Sequence, residues 1–318
     1  MENRILVSVS LITYNQEQFI EEAIIGILKQ KVNFKFELII GDDHSTDNTK
    51  QILYKYKKEN PDIVKLILHA NRGNGTPGKI NFLSTFHCAK GKYIALCDGD
   101  DYWTDNQKLQ KQVDFLEANP KYSICWTKYK ILYQKYIDTG ILNDPDWLHL
   151  IKNESTFDIT LHNIFKPYST YAATALMIKD KVNLPLYAKM KYSKDDVVYC
   201  MCLSQGQGAI LNFFGSVYRV HDSSIYSSTS IIKKFYSNFR TLEEIIKKIK
   251  DCNTPNIKKV RNTMLLEAFD ISVKDNYSIF TSIHLYYKII LYCKISEKIN
   301  ASRKISKGFL AKISRRLQ

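Results

Sequence analysis

The stretch Tyr93-Ile94-Ala95-Leu96-Cys97-Asp98-Gly99-Asp100-Asp101-Tyr102-Trp103 carries an apolar run into three carboxylates, with one glycine among them. A short unbroken run of apolar residues reads as a buried strand, and Gly99 offers a sharp turn that lets Asp98 and Asp100 converge. Crowded carboxylates repel one another unless a cation sits among them, and such an oxygen donor set suits Mg2+ or Mn2+. An Asp-Gly turn with solvated charges explains the same residues. The surrounding chain has to decide between the two.

Upstream and downstream, strand-like and helix-like runs alternate over the first 133 residues. Strands are expected at Leu6 to Ile12, Phe36 to Ile40, Val64 to His69, Tyr93 to Cys97 and Ser123 to Tyr133, with helices at Gln18 to Lys29, Asp47 to Lys57, Ile80 to Ala89 and Asn106 to Glu117. This alternation predicts an α/β fold with a Rossmann-like, mostly parallel sheet flanked by helices. Ligands bind such sheets beyond the C-terminal strand ends. Three loops there carry unusual chemistry: Thr13-Tyr14-Asn15, Gly41-Asp42-Asp43-His44-Ser45-Thr46-Asp47, and Asp98-Gly99-Asp100-Asp101.

In the second loop, Ser45 or Thr46 is suited to cap the following helix, and Asp47 complements its dipole. Capping leaves Asp42 and Asp43 unexplained, since adjacent acids gain nothing for folding. A carboxylate there can accept the ring N–H of a uracil while Tyr14 stacks on its face.

The 318 residues, 45% hydrophobic and 25% charged, have the composition of a globular chain able to bury a sizeable core. Seven scattered cysteines without a Cys-x-x-Cys pair argue for a reducing compartment and against a disulfide framework or zinc site. No long apolar segment follows Met1, and none approaches a spanning helix, so a cytoplasmic location is expected.

The net charge of +14 is uneven: residues 231 to 318 hold nineteen Lys/Arg against seven Asp/Glu, leaving only about +2 for the first 230. A basic helical C-terminal extension is expected there, separate from a domain over 1–230. Ile295, Ile299, Phe309, Ile313 and Leu317 recur at mostly helical spacing between Lys298, Arg303, Lys304, Lys307, Lys312, Arg315 and Arg316. That pattern fits a helix lying on an anionic membrane surface, and equally a solvated basic tail. No nucleic-acid recognition motif accompanies the charge, so a nucleic-acid partner is not expected.

Taken together, Val7-Ser8-Val9-Ser10-Leu11-Ile12-Thr13-Tyr14-Asn15, Glu37 to Asp47 and Gly91 to Trp103 resemble, in order and spacing, the family 2 glycosyltransferases of the GT-A fold. The resemblance covers about the first 220 residues, of which 1–103 would be the nucleotide-binding half and 104–230 the acceptor-binding half. It implies an inverting enzyme that moves a sugar from a nucleotide sugar, a UDP-sugar first among them, to a hydroxyl of a glycan or lipid-linked glycan. Capsule, lipopolysaccharide or another bacterial surface polysaccharide would be the product, made at the inner face of the cell membrane. Homo-oligomer formation stays open.

The same resemblance places the nucleoside against Thr13, Tyr14 and Asp43 with Asp42 beside it, and makes Arg72 a further nucleotide or phosphate contact. Asp98 and Asp100 match the family's Asp-x-Asp motif, with Asp98 near the ribose or metal and Asp100 as metal ligand. Asp101 would orient the donor sugar or cap the next segment. In Lys194-Asp195-Asp196-Val197, the second acid of the helix-start pair corresponds to the family's base, Asp196, although Asp195 stands where Glu is commoner. Val217-Tyr218-Arg219-Val220-His221 resembles a Tyr-Arg-x-His segment, in which His221 would complete a metal shell or bind diphosphate and Arg219 would neutralise phosphate charge. The loop Ser223 to Ser230 would serve as a lid, and Trp103, Trp147 and Tyr168 are aromatic candidates for stacking on sugar rings or for the core. A metal-dependent nucleotidyltransferase acting on sugar phosphates and a non-catalytic basic binding module are the alternatives. The first would more often carry a Gly-rich basic loop after its first strand, which Thr13-Tyr14-Asn15-Gln16 is not; the second would leave the acids without a role.

Overall fold

The computed structural model describes residues 4–72, 78–133, 142–151, 155–165, 170–222, 224, 229–274, 277, 279–294, 298, 301–302 and 304. The chain divides into two compact units, Met1–Ser224 and Ile225–Gln318.

The first unit is built around strand β1 (Ile5–Thr13). Val7, Val9 and Leu11 are buried, and so are Ser8 and Ser10 between them, as a strand covered by helices on both faces requires. β2 (Lys35–Asp42) and β4 (Tyr93–Asp98) pair with β1 in parallel on its two sides, and β3 (Val64–Leu68) extends the sheet beyond β2. Helices α1 (Ile20–Leu28), α2 (Thr49–Glu59) and α3 (Lys79–Cys88) make the connections. The register sets Ile12 opposite both Gly41 and Asp98, and Thr13 opposite Asp42. All three acid-bearing or aromatic loops therefore leave one edge of the sheet.

The second half of this unit comprises β5 (Tyr102–Trp103), α4 (Lys108–Ala118), β6 (Tyr122–Tyr133), β7 (Leu142–Asn143), β8 (Thr156–Ile159), β9 (Leu176–Ile178), α5 (Leu184–Lys189), α6 (Asp195–Leu203) and β10 (Gln207–Val220). Strand order is β3-β2-β1-β4-β9-β6-β10-β5, with β7 on β6 and β8 on β10. The nine elements expected over the first 133 residues are present, with ends displaced by two residues at most. Parallel pairing is confined to β3-β2-β1-β4 and to β6 with β10. β9 enters antiparallel between β4 and β6, and β5, β7 and β8 also run antiparallel. Along β10, register shifts between Leu211 and Ser216 give that strand three more residues than β6 between the pairs Leu211–Thr127 and Ser216–Tyr129.

One expectation fails locally. Helix α2 starts at Thr49, and neither Ser45 nor Thr46 caps it; Asn48 holds the cap position and makes no side-chain cap bond. Ser45 is instead engaged with Asp42 and the neighbouring loop, while Asp47 does reach the helix start, its Oδ1 accepting the N–H of Thr49 at 3.0 Å.

The second unit holds helices α7 (Ile231–Lys248), α8 (Pro255–Lys274) and α9 (Ile279–Tyr292). They bury Ile232, Phe239, Leu265, Phe269, Leu285 and Ile289 in a core of their own. Glu243 of α7 accepts from Tyr292 Oη at 2.5 Å and from Lys247 Nζ at 3.0 Å. No helix among the described residues is long and apolar enough to cross a membrane. The basic pattern from Ile295 to Leu317, the loop Ser223 to Ser230, the Gly73 to Gly75 turn and Tyr168 lie wholly or largely outside the described residues.

Candidate active site

The loop after β1 and the loop after β2 are stitched together. Asn15, at φ 51°, donates its N–H to Ser45 Oγ at 2.9 Å and accepts Thr46 N–H on Oδ1 at 2.8 Å. Gln16 N–H reaches Thr49 Oγ1 at 2.9 Å, and Glu17 N–H reaches Asp47 Oδ2 at 3.0 Å. Asp42 is fully buried and accepts both the N–H of Ser45, at 2.9 Å, and its hydroxyl. Both of its oxygens are thus engaged within the loop.

Asp43 is buried too, its N–H donating to Thr13 O at 3.0 Å, and its Oδ2 stands 4.0 Å from Arg72 Nε. The Arg72 guanidinium lies 3.8 Å from the centre of the Tyr14 ring. The structure therefore brings Tyr14, Asp43 and Arg72 into one cluster, with Thr13 beneath them. Thr13 Oγ1 donates to Gln16 Oε1 at 2.7 Å.

At the end of β4 the glycine has a different cause from the one its position suggests. Gly99 does not adopt a positive φ; a Cβ there would come within 2.3 Å of Gln16 Oε1 and 2.9 Å of Thr13 Oγ1. Close approach of the first loop, not backbone torsion, excludes a side chain. The turn itself closes through Asp101 N–H donating to Asp98 O at 3.1 Å.

The end of β10 then fastens this acidic turn. The N–H of Arg219 donates to Asp101 Oδ1 at 2.9 Å, and its Nε donates to Asp100 O at 2.8 Å. Its Nη2 meets Glu22 of α1 at 2.5 Å, while the guanidinium packs over Phe19 and Tyr102. The guanidinium from which a phosphate contact was expected thus holds the turn. Asp101 likewise turns inward to the Arg219 N–H and is 2% exposed. His221 does approach the acids: its Nε2 lies 3.1 Å from Asp100 Oδ2, with the ring against Phe19.

Opposite stands the first turn of α6, which begins with Asp195 and Asp196. Their charges are felt across the site. Burial raises the Asp98 carboxyl well above the usual carboxylate range, and Asp195 and then Asp100 push it further. Asp101 is raised by burial, then by Asp100 and Asp98, against the Arg219 N–H. Burial raises Asp195, with Lys194 opposing. Asp196 is pushed up to about 6 by burial and the neighbouring Asp195, again against Lys194. Tyr199, one turn along α6, is raised by burial and then by Asp195, Asp196 and Asp98. The carboxyls of Asp98, Asp100, Asp101, Asp195 and Asp196 form one field of like charge at the sheet edge.

A divalent cation fits that field in kind, since half-buried carboxylates plus an imidazole are a hard donor set lacking only positive charge. Among the described residues no three such side chains close into a ready-made cage. This suits an ion bound through one or two carboxylates that takes the rest of its shell from waters and substrate phosphates.

Glu22 and Gln16 were not expected at this site, and Ser45 and Asp47 were expected there only as helix-start residues. Glu22 shows in sequence only as an acid in a first helical turn, and nothing near it points to a partner 197 residues away. Two of the aromatic candidates are core: Trp103 lies under the Lys108 ammonium at 4.0 Å, and Trp147 Nε1 donates to Tyr129 Oη at 3.3 Å.

The model for "Glycosyl transferase family 2" matches residues 8–183. An uncharacterized protein of Mycobacterium tuberculosis is 40% identical over 127 residues, which are 40% of this chain and 36% of that protein. The chain thus spans little more than a third of that relative. The UDP-Glc:alpha-D-GlcNAc-diphosphoundecaprenol beta-1,3-glucosyltransferase WfaP of Escherichia coli is 28% identical over 221 residues, 69% of this chain and 79% of the relative. Among solved structures, S. aureus TarS 1-349 in complex with UDP-GlcNAc superposes with a TM-score of 0.62 at 19% identity, covering 96% of this chain and 81% of that one. That likeness extends to the mixed sheet flanked by helices, the GT-A architecture.

Proposed function

The chain belongs to glycosyl transferase family 2, whose model matches more than half of it, and on that footing we propose that it transfers a sugar from a UDP-sugar to a hydroxyl of a glycan or lipid-linked glycan, with inversion, in bacterial surface polysaccharide synthesis. The observation that carries the reading is the field of Asp98, Asp100, Asp195 and Asp196 at the strand ends, beside the Tyr14–Asp43–Arg72 cluster. The E. coli relative named for UDP-glucose and the TarS complex with UDP-GlcNAc support a uridine donor.

In this reading residues 1–230 form the catalytic domain, 1–103 holding the nucleotide and 104–230 the acceptor. Tyr14 stacks on the base and Asp43 accepts its ring N–H, with Arg72 beside both. Asp98 and Asp100 would hold Mn2+ or Mg2+, with His221 at its flank. A bound divalent cation neutralises charge on the departing nucleoside diphosphate. Asp196 takes the acceptor proton, and a base poised near 6 is ionised at neutral pH yet still basic enough to capture it. Arg219, Glu22 and Asp101 are positioning residues that hold the acidic turn still.

The test is a panel of UDP-glucose, UDP-GlcNAc and GDP-mannose with Mn2+ or Mg2+, measuring released nucleotide. Release that survives both Asp100→Ala and Asp196→Asn undiminished would overturn the mechanism. Release of pyrophosphate from a nucleoside triphosphate and a sugar phosphate would point to a nucleotidyltransferase.

A further inference from the structure

Among the described residues, five exposed large apolar side chains, including the two most open to solvent, gather on one helix. Phe280, Ile283, Tyr287, Ile290 and Leu291 all lie on α9, with Phe280 80% and Tyr287 60% exposed. At 3.6 residues per turn this spacing puts them on one face, and Ser282, Leu285, Ile289 and Cys293 on the opposite one. Leu285, Ile289 and Cys293 belong to the core shared with α7 and α8. α9 is therefore apolar on two opposed faces, and among the described residues only one is covered within its unit. The exposed positions of α7 and α8 are mostly polar: apart from Ile231 at the start of α7, they include Lys233, Lys247, Lys248, Lys258, Lys259 and Lys274.

Charge decides what covers the second face. α9 contains no acidic residue, Lys288 lies on it and Lys294 follows it, and residues 231 to 318 carry nineteen basic against seven acidic side chains. Pairing this face with a second copy would bring two strongly positive bodies together, whereas an anionic surface is drawn to them. The helix is 14 residues long, too short to cross a bilayer. An apolar face of that length bordered by basic residues matches a helix lying in the headgroup region. Aromatic side chains such as Phe280 and Tyr287 are at home at that depth.

We propose that the outward face of α9 seats the protein on an anionic lipid bilayer. The proposal moves the membrane contact from the C-terminal tail to a described helix, and it stands apart from the transfer reaction, since lipid binding is read without donor or acceptor. The test is flotation of the full-length protein with phosphatidylcholine vesicles, with and without phosphatidylglycerol. The protein should float with the mixed vesicles, and the triple variant Phe280→Ser, Tyr287→Ser, Leu291→Ser should bind about tenfold or more weakly. Its melting temperature should hold, because the three side chains face solvent. Undiminished binding by the triple variant, or equal binding to phosphatidylcholine alone, overturns the proposal. So does a dimer in sedimentation that the triple variant dissociates without any vesicle binding, which would give the face to a second copy. If vesicle binding appears only after residues 305–318 are removed, the chain's own end covers the face and the proposal likewise fails.

Discussion

Asp42 and Asp98 end β2 and β4, the two strands that flank β1, yet the protein answers their charges in different ways. Around Asp42 the chain supplies donors: the N–H and hydroxyl of Ser45 take both oxygens, and the loop is tied to Asn15, Gln16 and Glu17. Around Asp98 it supplies more acid, from Asp100 on one side and Asp195 on the other, and burial drives the carboxyl upward. The first arrangement is complete as it stands. The second is held under repulsion by Arg219 and Glu22, which fix the backbone of the turn without neutralising Asp98. A buried acid with its own donors is architecture, while a group of acids sharing too few donors is a place kept for a ligand.

Substitutions on the two sides should therefore fail in different assays, and the largest effect belongs to the charged side. Asp196→Asn should lower turnover by about 100- to 10,000-fold, as loss of a general base does, with the protein folding as before. Wild-type turnover in that variant would erase the distinction drawn here. Next, Asp100→Asn should raise the Mn2+ concentration needed for half-maximal activity by about 10- to 100-fold, read from metal titrations, and leave the thermal transition nearly in place. On the architectural side, Asp42→Ala should cost about 2 kcal/mol by orphaning the Ser45 donors. For a unit of this size that lowers the melting temperature by about 4–8 °C, with unchanged metal dependence in the folded enzyme.

The smaller effects sharpen the comparison. Rate should fall as pH drops through about 6, because Asp196 is protonated below that value and cannot accept a proton. Since the Asp195 charge raises the Asp196 pKa, Asp195→Asn should move this limb of the pH–rate profile to lower pH. A limb that stays put, or moves upward, would show that Asp195 is not what elevates its neighbour. Glu22→Gln should slow turnover only a few-fold, since Glu22 is half exposed and Arg219 keeps its bond to Asp100 O.

Much of this was legible in the chain before any coordinates. The alternation of short apolar runs with helical spacing places nine elements and three loops, and the acids stand out because they follow buried strands. What escaped were relations between distant segments. Nothing in Glu22 announces Arg219, nothing in Gly99 announces Gln16, and the three-residue β9 is too brief to read as a strand although it sits between β4 and β6. The cap expected of Ser45 failed for a related reason: its hydroxyl found the buried Asp42 a stronger partner than a helix N-terminus. Local propensity sets which segments form; tertiary partners set what each polar side chain does.

The three extra residues of β10 carry a consequence of another sort. Side chains alternate along a strand with a period of two, so an odd insertion puts everything beyond it on the face opposite to the one its spacing from Leu211 would give. Arg219 and His221 meet the acidic turn, and Tyr218 stacks on Tyr171 instead, only because that reversal has taken place. Deleting one residue between Leu211 and Ser216 would exchange those roles without altering any residue that touches the acids. In this strand the reading frame of the backbone, counted in single residues, is as much a part of the active site as the side chains it delivers.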